Sequence, residues 1–219
     1  MSYTQLPSGP VGHAAALVIT PTQFEADLLG PVHSAVIAFG LVDSGIATMR
    51  VLEDRRPTMC VLVGIAGTLD PKRLPVGSVV ESTGFHCFGI GAGCEPDLET
   101  PEEMGLPPEC SGIFRPSSYE PSTSFVEGVR LPRCEFLSVA AASGHRGQAR
   151  MRSARFPEAL VEEMEGFSVA RAARILGVPF TSVRAISNVA GDRDKENWKV
   201  DAAFDALREA LDPLRDLLA

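Results

Sequence analysis

Long apolar runs are missing from this sequence. No stretch of its 219 residues approaches the ~20 consecutive apolar positions that span a bilayer, so no helical membrane anchor is expected. Positive charge is also scarce: 20 Lys and Arg stand against 28 Asp and Glu, a net charge of −8 with a pI near 5.1. Without a basic stripe, neither nucleic acid nor an anionic membrane is an expected partner. The opening MSYTQLPSGPVGH lacks the basic-then-apolar form of a secretory leader. It reads as a ragged lead-in over about residues 1–13, and a cytoplasmic location is expected. The five cysteines (Cys60, Cys87, Cys94, Cys110 and Cys134) form no CxxC pair and are odd in number, which argues against zinc ribbons and disulfide frameworks. His86, Cys87 and Cys94 are the one grouping that suggests zinc. Adjacent strand residues point to opposite faces, so His86 and Cys87 do not readily ligate one ion, and no metal is expected. FGIGAGCEP lacks the GxGxxG spacing, and the acids after it (Glu95, Asp97, Glu99, Glu102, Glu103) would repel a pyrophosphate. A flexible turn is expected there. No repeat or heptad array is present.

What the chain does have is a core. Hydrophobic residues make up 45% and charged residues 22%, enough for one full-sized domain over 1–219. Apolar runs at 15–20, 35–39, 60–64, 78–81, 136–140 and 180–187 predict strands, several apolar on both faces. Helices are expected after Thr22, over about 41–54 and over about 161–176, the last ended by Gly177, Val178 and Pro179. Val200, Phe204, Leu207, Leu211, Leu214 and Leu218 line one face of a C-terminal amphipathic helix. Doubly buried strands alternating with helices imply an α/β fold, a three-layer α/β/α domain around a mixed, mainly parallel twisted sheet. Residues 95–124, rich in Pro, Gly, Ser and acids, form an excursion too long for an ordinary connection, either a lid or an interface loop.

Ligands of such sheets bind at the carboxyl ends of strands, which directs attention to three strand exits. TPTQFEADLL places Glu25 at the first, where an acid can equally serve the helix start. In VLVGIAGT, Gly64 and Gly67 either let backbone N–H groups approach a ligand or form a tight turn. RAISN ends the third strand on the polar pair Ser187 and Asn188. VEEMEG is read as the opening of the long helix: Glu162 and Glu163 suit its positive N-terminus, while Glu165 stands beside Met164 at an expected site edge.

Taken in order, ITPTQFEADLL, VGIAGTL, VEEMEG and RAISN…GDRD…W (with Arg193, Asp194 and Trp198) resemble the purine nucleosidase branch of the nucleoside phosphorylase superfamily over nearly the whole chain. The likeness is to the methylthioadenosine/S-adenosylhomocysteine nucleosidases and, more closely, to the futalosine hydrolases of menaquinone biosynthesis. It implies an α/β/α enzyme, without metal or organic cofactor, that breaks a purine–ribose bond and works as a homo-oligomer (a dimer or a dimer of dimers). Under the resemblance Glu25 activates the attacking water, Met164 and Glu165 hold the ribose, and Ala66 and Gly67 lie near sugar and water. Asn188 faces N7 and the six-position substituent of the purine. Phosphorylase relatives hold phosphate with an arginine and a serine where this chain has Leu62 and Ile65, so water is the expected nucleophile. For the 5′ side of the substrate, Met104, Leu106, Pro107 and Pro108 are candidates for an apolar wall. Arg146 or Arg193 is a candidate carboxylate partner, the alternative being that both are solvated surface arginines.

Overall fold

A computed structural model describes residues 16–30, 32, 34–107, 112–114 and 131–212. The lead-in 1–13, Pro108, Cys110, residues 115–124 of the excursion, and Leu214 and Leu218 lie outside the described residues. Eight strands and five helices follow in the order β1 (Leu17–Thr20), α1 (Gln23–Leu29), β2 (Ser34–Val36), α2 (Leu41–Arg55), β3 (Cys60–Thr68), β4 (Val79–Phe88), β5 (Ile113–Phe114), β6 (Arg133–Val139), α3 (Arg146–Arg155), β7 (Ala159–Glu163), α4 (Gly166–Leu176), β8 (Phe180–Val189) and α5 (Val200–Leu211).

Alternation along the central strands builds the layers. Ile19, Leu62 and Ile186 face the side covered by α2 and α4, where Leu52, Phe167, Val169 and Ala173 complete one core. Val18, Val61, Val63, Val183 and Ala185 face the other side, against Leu29 of α1 and Phe204, Leu207 and Leu211 of α5. The expected three layers are therefore present. The sheet is mixed: β1 pairs β2 and β3 in parallel, and β3 pairs β8 in parallel from Cys60↔Phe180 to Thr68↔Val189. Then β8 pairs β4 antiparallel, β4 and β6 are parallel, as are β6 and β7, and β7 returns to β3 antiparallel at Gly67↔Glu162. Strands β3, β8, β4, β6 and β7 thus close into a ring.

Two expectations are corrected. The helix placed at 161–176 begins only at Gly166, and the stretch before it is strand β7, ALVEE, with all five residues buried. Glu162 and Glu163 are interior acids with hydrogen-bond partners, not solvated helix-start acids. Their charge disguised a buried strand. Helix α3, RGQARMRSAR, was not anticipated because it has no apolar stripe; it buries only Ala149 and Arg152. The expected stop of α4 is present: Gly177 adopts φ 69° and its N–H bonds the carbonyls of Ala173 and Arg174. Strands β3 and β4 run several residues beyond their expected ends, so VGIAGT is strand and not a tight turn. No described helix is long and apolar enough to cross a membrane. Burial pushes the thiols of Cys60, Cys87 and Cys134 up to about 12, and Cys94 is exposed.

Candidate active site

The ends of β1, β3 and β8 open on a cavity of about 240 Å³. Its shape follows from the strand edges. On one edge of β3, β1 pairs only as far as Leu62 and β7 joins only at Gly67. In that gap the side chain of Glu25 acts as the missing strand, its Oε1 accepting from the Ile65 N–H at 3.2 Å. Its Oε2 accepts from the Thr22 hydroxyl at 2.8 Å, and Thr22 in turn caps α1 by accepting from the Glu25 N–H. Glu25 therefore serves the helix start and also lines the cavity, at only 7% exposure.

Beneath Glu25 lies a charge that the sequence reading passed over. Arg184 is fully buried on β8, directly beside Gly64 of β3. A Cβ at Gly64 would fall 2.4 Å from Arg184 Nη1 and 2.6 Å from Glu25 Oε1. The glycine makes room for a guanidinium and a carboxylate on either side of it. Arg184 Nη2 donates to Glu163 at 2.8 Å and to Glu165 at 3.0 Å. A buried charge of this kind requires partners, because an uncompensated one costs several kcal/mol. Glu163 also accepts from the N–H groups of Glu165 and Gly166 and from the Ser138 hydroxyl. It thereby orients the turn that presents Met164 and Glu165.

Glu165 accepts from the Gly40 N–H at 3.1 Å through its other oxygen. Burial pushes its carboxyl up to about 7; Arg184 and the Gly40 N–H pull against this shift, while Glu163 and Glu25 add to it. A carboxyl raised in this way takes up a proton more readily than an ordinary glutamate. An arriving donor or positive charge favours the ionised form.

At the tip of β8 a bulge redirects the chain. Ala66 pairs Ile186 and Gly67 pairs Asn188, leaving Ser187 as the extra residue. Bulges re-aim side chains next to sites, and Asn188 lines the cavity. Its Nδ2 donates to the Val189 carbonyl at 3.1 Å, and its Oδ1 accepts from the Ser187 hydroxyl at 2.9 Å. A carbonyl can only accept, so the amide orientation is determined, with one N–H left over for a ligand.

The cavity thus gathers Glu25, Ala66, Gly67, Met164, Glu165 and Asn188, together with Ile65, Arg193 and Trp198. Arg193 lies over the Trp198 ring at 5.5 Å, and Trp198 is anchored by its indole N–H on the Asp192 carbonyl. Leu62 is buried in the core and does not line the cavity. The candidates for the 5′ side fare differently. Within this chain Met104, Leu106 and Pro107 are exposed and none lines the cavity. The start of the excursion is tied to α3 instead, by Arg152 to Glu95 and by Arg155 to Leu98 and Glu103. Arg146 is likewise outside, paired with Asp192 at 3.0 Å. His86 is bonded to Glu135, and among the described residues no cluster of His, Cys, Asp and Glu could hold a metal. Sequence reasoning missed Arg184 and Glu163. The available signal was an arginine within a strand apolar on both faces, which cannot be buried without acids nearby.

The family model described as the phosphorylase superfamily matches residues 27–218. Futalosine hydrolase of Streptomyces coelicolor is 32% identical over 171 residues, which is 76% of this chain and 69% of that protein. Futalosine hydrolase of Acidothermus cellulolyticus is 29% identical over 168 residues, 73% of this chain and 65% of that protein. A solved structure of a futalosine hydrolase mutant from Helicobacter pylori aligns with TM-score 0.75 over 93% of this chain and 99% of its own, at 17% identity.

Proposed function

The chain belongs to the phosphorylase superfamily and, within it, to the futalosine hydrolase family of purine nucleosidases; on that premise we propose that it hydrolyses the N-glycosidic bond of futalosine and releases hypoxanthine, as a step of menaquinone biosynthesis. The reading is supported above all by one cavity that joins two buried acids to an amide of determined orientation. Cleaving the bond builds positive charge on the ribose and negative charge on the departing purine. Glu165, ionised and fixed by Arg184 and Gly40, stabilises the first while accepting from ribose hydroxyls. Glu25 orients the attacking water with a carboxylate that is itself held by Thr22 and Ile65. Met164 packs against the sugar, and Ala66 and Gly67 border sugar and water. Ile65, the only one of the two phosphate-side positions to reach the cavity, offers an anion no donor from its side chain, in keeping with water as the nucleophile.

Asn188 distinguishes futalosine from the substrates of the methylthioadenosine-cleaving relatives. Hypoxanthine presents two acceptors, O6 and N7, to this position. The free amide N–H can donate to either without a proton of its own. An ionised aspartate would repel both. On the 5′ side, Arg193 is the one candidate carboxylate partner that lines the cavity. Phe24 and Phe39 at the cavity, with Val42 and Ile46 on the adjoining helix, are 59–72% exposed. So much apolar surface is what a partner subunit covers, which supports a homo-oligomer that completes this side of the site.

Incubation with futalosine, aminofutalosine, methylthioadenosine and inosine, with and without phosphate, tests the reading. Hypoxanthine from futalosine, with a free sugar and no dependence on phosphate, is expected. A sugar 1-phosphate, or a stronger preference for methylthioadenosine, overturns it. The amide gives a sharper expectation. Asn188→Asp replaces NH₂ by oxygen at nearly constant volume and sets a carboxylate against the Val189 carbonyl, a contact that favours the protonated form. Futalosine cleavage should fall, and the aminofutalosine-to-futalosine ratio should rise at least about tenfold, or about 1.4 kcal/mol. An unchanged ratio in steady-state kinetics removes Asn188 as the reader of the base.

A further inference from the structure

One wall of the cavity is formed by Ala142 and Ser143, in the loop between β6 and α3. That loop is held by side chains, not by strand pairing. Glu162, which also lines the cavity, accepts from the Ser143 N–H at 2.8 Å and from its hydroxyl at 2.6 Å. Glu162 is also the sheet partner of Gly67, so these two bonds attach the loop to the residue beside that glycine in the cavity lining. Glu162 in turn accepts from Arg152 Nη1 at 2.9 Å, and the same nitrogen donates to the Ala141 carbonyl at 3.0 Å. Arg152 is 4% exposed, lies over the Phe88 ring at 4.8 Å, and directs its Nε to Glu95 at 2.7 Å. The other oxygen of Glu95 accepts from Gln148, whose carbonyl accepts from the Gly144 N–H. Glu95 begins the long excursion and does not line the cavity.

We propose, building on the nucleosidase reading above, that Arg152 is a positioning residue. It locks the Ala142–Ser143 wall onto Glu162 and ties that lock to Glu95, so that seating of the segment at Glu95 sets the shape of the substrate cavity. The guanidinium suits this role because its rigid fork serves partners on different sides at once, whereas an ammonium offers a single point charge. Burial alone would raise the Glu95 carboxyl, but the hydrogen bonds from Arg152 and Gln148 hold it below the usual range. The link therefore remains ionic at neutral pH.

Three single variants of this chain and one double variant test the proposal, the single ones being Glu95→Ala, Arg152→Lys and Glu162→Gln. Glu95→Ala changes a half-buried side chain outside the cavity. It is expected to raise KM for futalosine about fivefold or more with kcat changed less, within the range of couplings in one hydrogen-bond network. Arg152→Lys should act in the same direction and more strongly. The double variant Glu95→Ala/Glu162→Gln should raise KM by less than the product of its single effects. Hydrogen exchange gives a readout that needs no substrate. The amides of Ser143 and Gly144 should exchange at least about tenfold faster in Glu95→Ala, while β3 keeps its protection. Faster exchange in a protein that cleaves no futalosine would refute the futalosine reading and leave the positioning role standing. Unchanged exchange at Ser143 and Gly144 in folded Glu95→Ala and Arg152→Lys overturns the proposal. A fall in melting temperature with KM unaltered likewise overturns it, since Arg152 would then serve stability alone.

Discussion

Replacing Glu25 by Gln is expected to lower kcat at least ~10²-fold, the usual contribution of a positioned general base. The substitution is nearly isosteric. Its remaining oxygen can still accept from the Ile65 N–H or the Thr22 hydroxyl, and Thr22 still caps α1 through the Glu25 backbone. Folding should therefore be little affected, and substrate affinity should change far less than turnover. What the amide cannot do is take a proton from water. Steady-state kinetics beside a thermal melt separates these effects. Near-normal turnover in a folded Glu25→Gln enzyme would remove this residue from the mechanism.

Removing Arg184 should produce the largest loss of stability. Arg184→Met keeps much of the side-chain volume but leaves Glu163 and Glu165 buried without their shared cation. Breaking a buried pair by deleting one partner typically costs about 3–5 kcal/mol. The loss should depend on pH in a defined sense. Burial pushes the Glu165 carboxyl from its ordinary 4.5 up to about 7 in the native protein, so its contribution to stability is fully present below 4.5 and is lost as pH rises through about 7. Without Arg184 the carboxyl is pushed higher still and is more readily protonated. Arg184→Met should therefore lose less stability at pH 5 than at pH 8, as read by denaturant unfolding. Adding Glu165→Gln should flatten that difference. An equal loss at both pH values would mean that Glu165 does not bear the buried charge.

Several features of this protein were legible in the sequence because local physics determines them. The apolar run Val61–Val63 and the spaced Phe204, Leu207 and Leu211 dictate strand and helix on their own. Thr22 and Gly177 mark helix ends through bonds made within a few residues. Four short motifs in order were enough to place Glu25, Met164, Glu165 and Asn188 in one family pattern, and the fold brings them to one cavity. Other features were decided only by contacts distant in sequence. An acid at position 163 looks the same in isolation whether it starts a solvated helix or ends a buried strand. Its partners Ser138 and Arg184 are 25 and 21 residues away. Gly64 lies in no turn; it makes room for the Glu25 carboxylate and for the Arg184 guanidinium, which sheet pairing brings beside it across 120 residues of chain. The same holds for Arg152, whose helix has no apolar stripe and whose meaning lies in Glu95 and Glu162. Burial of apolar side chains is written in periodicity. The pairing of buried charge is not, because a carboxylate and a guanidinium find each other in space, and only the closed sheet sets that distance.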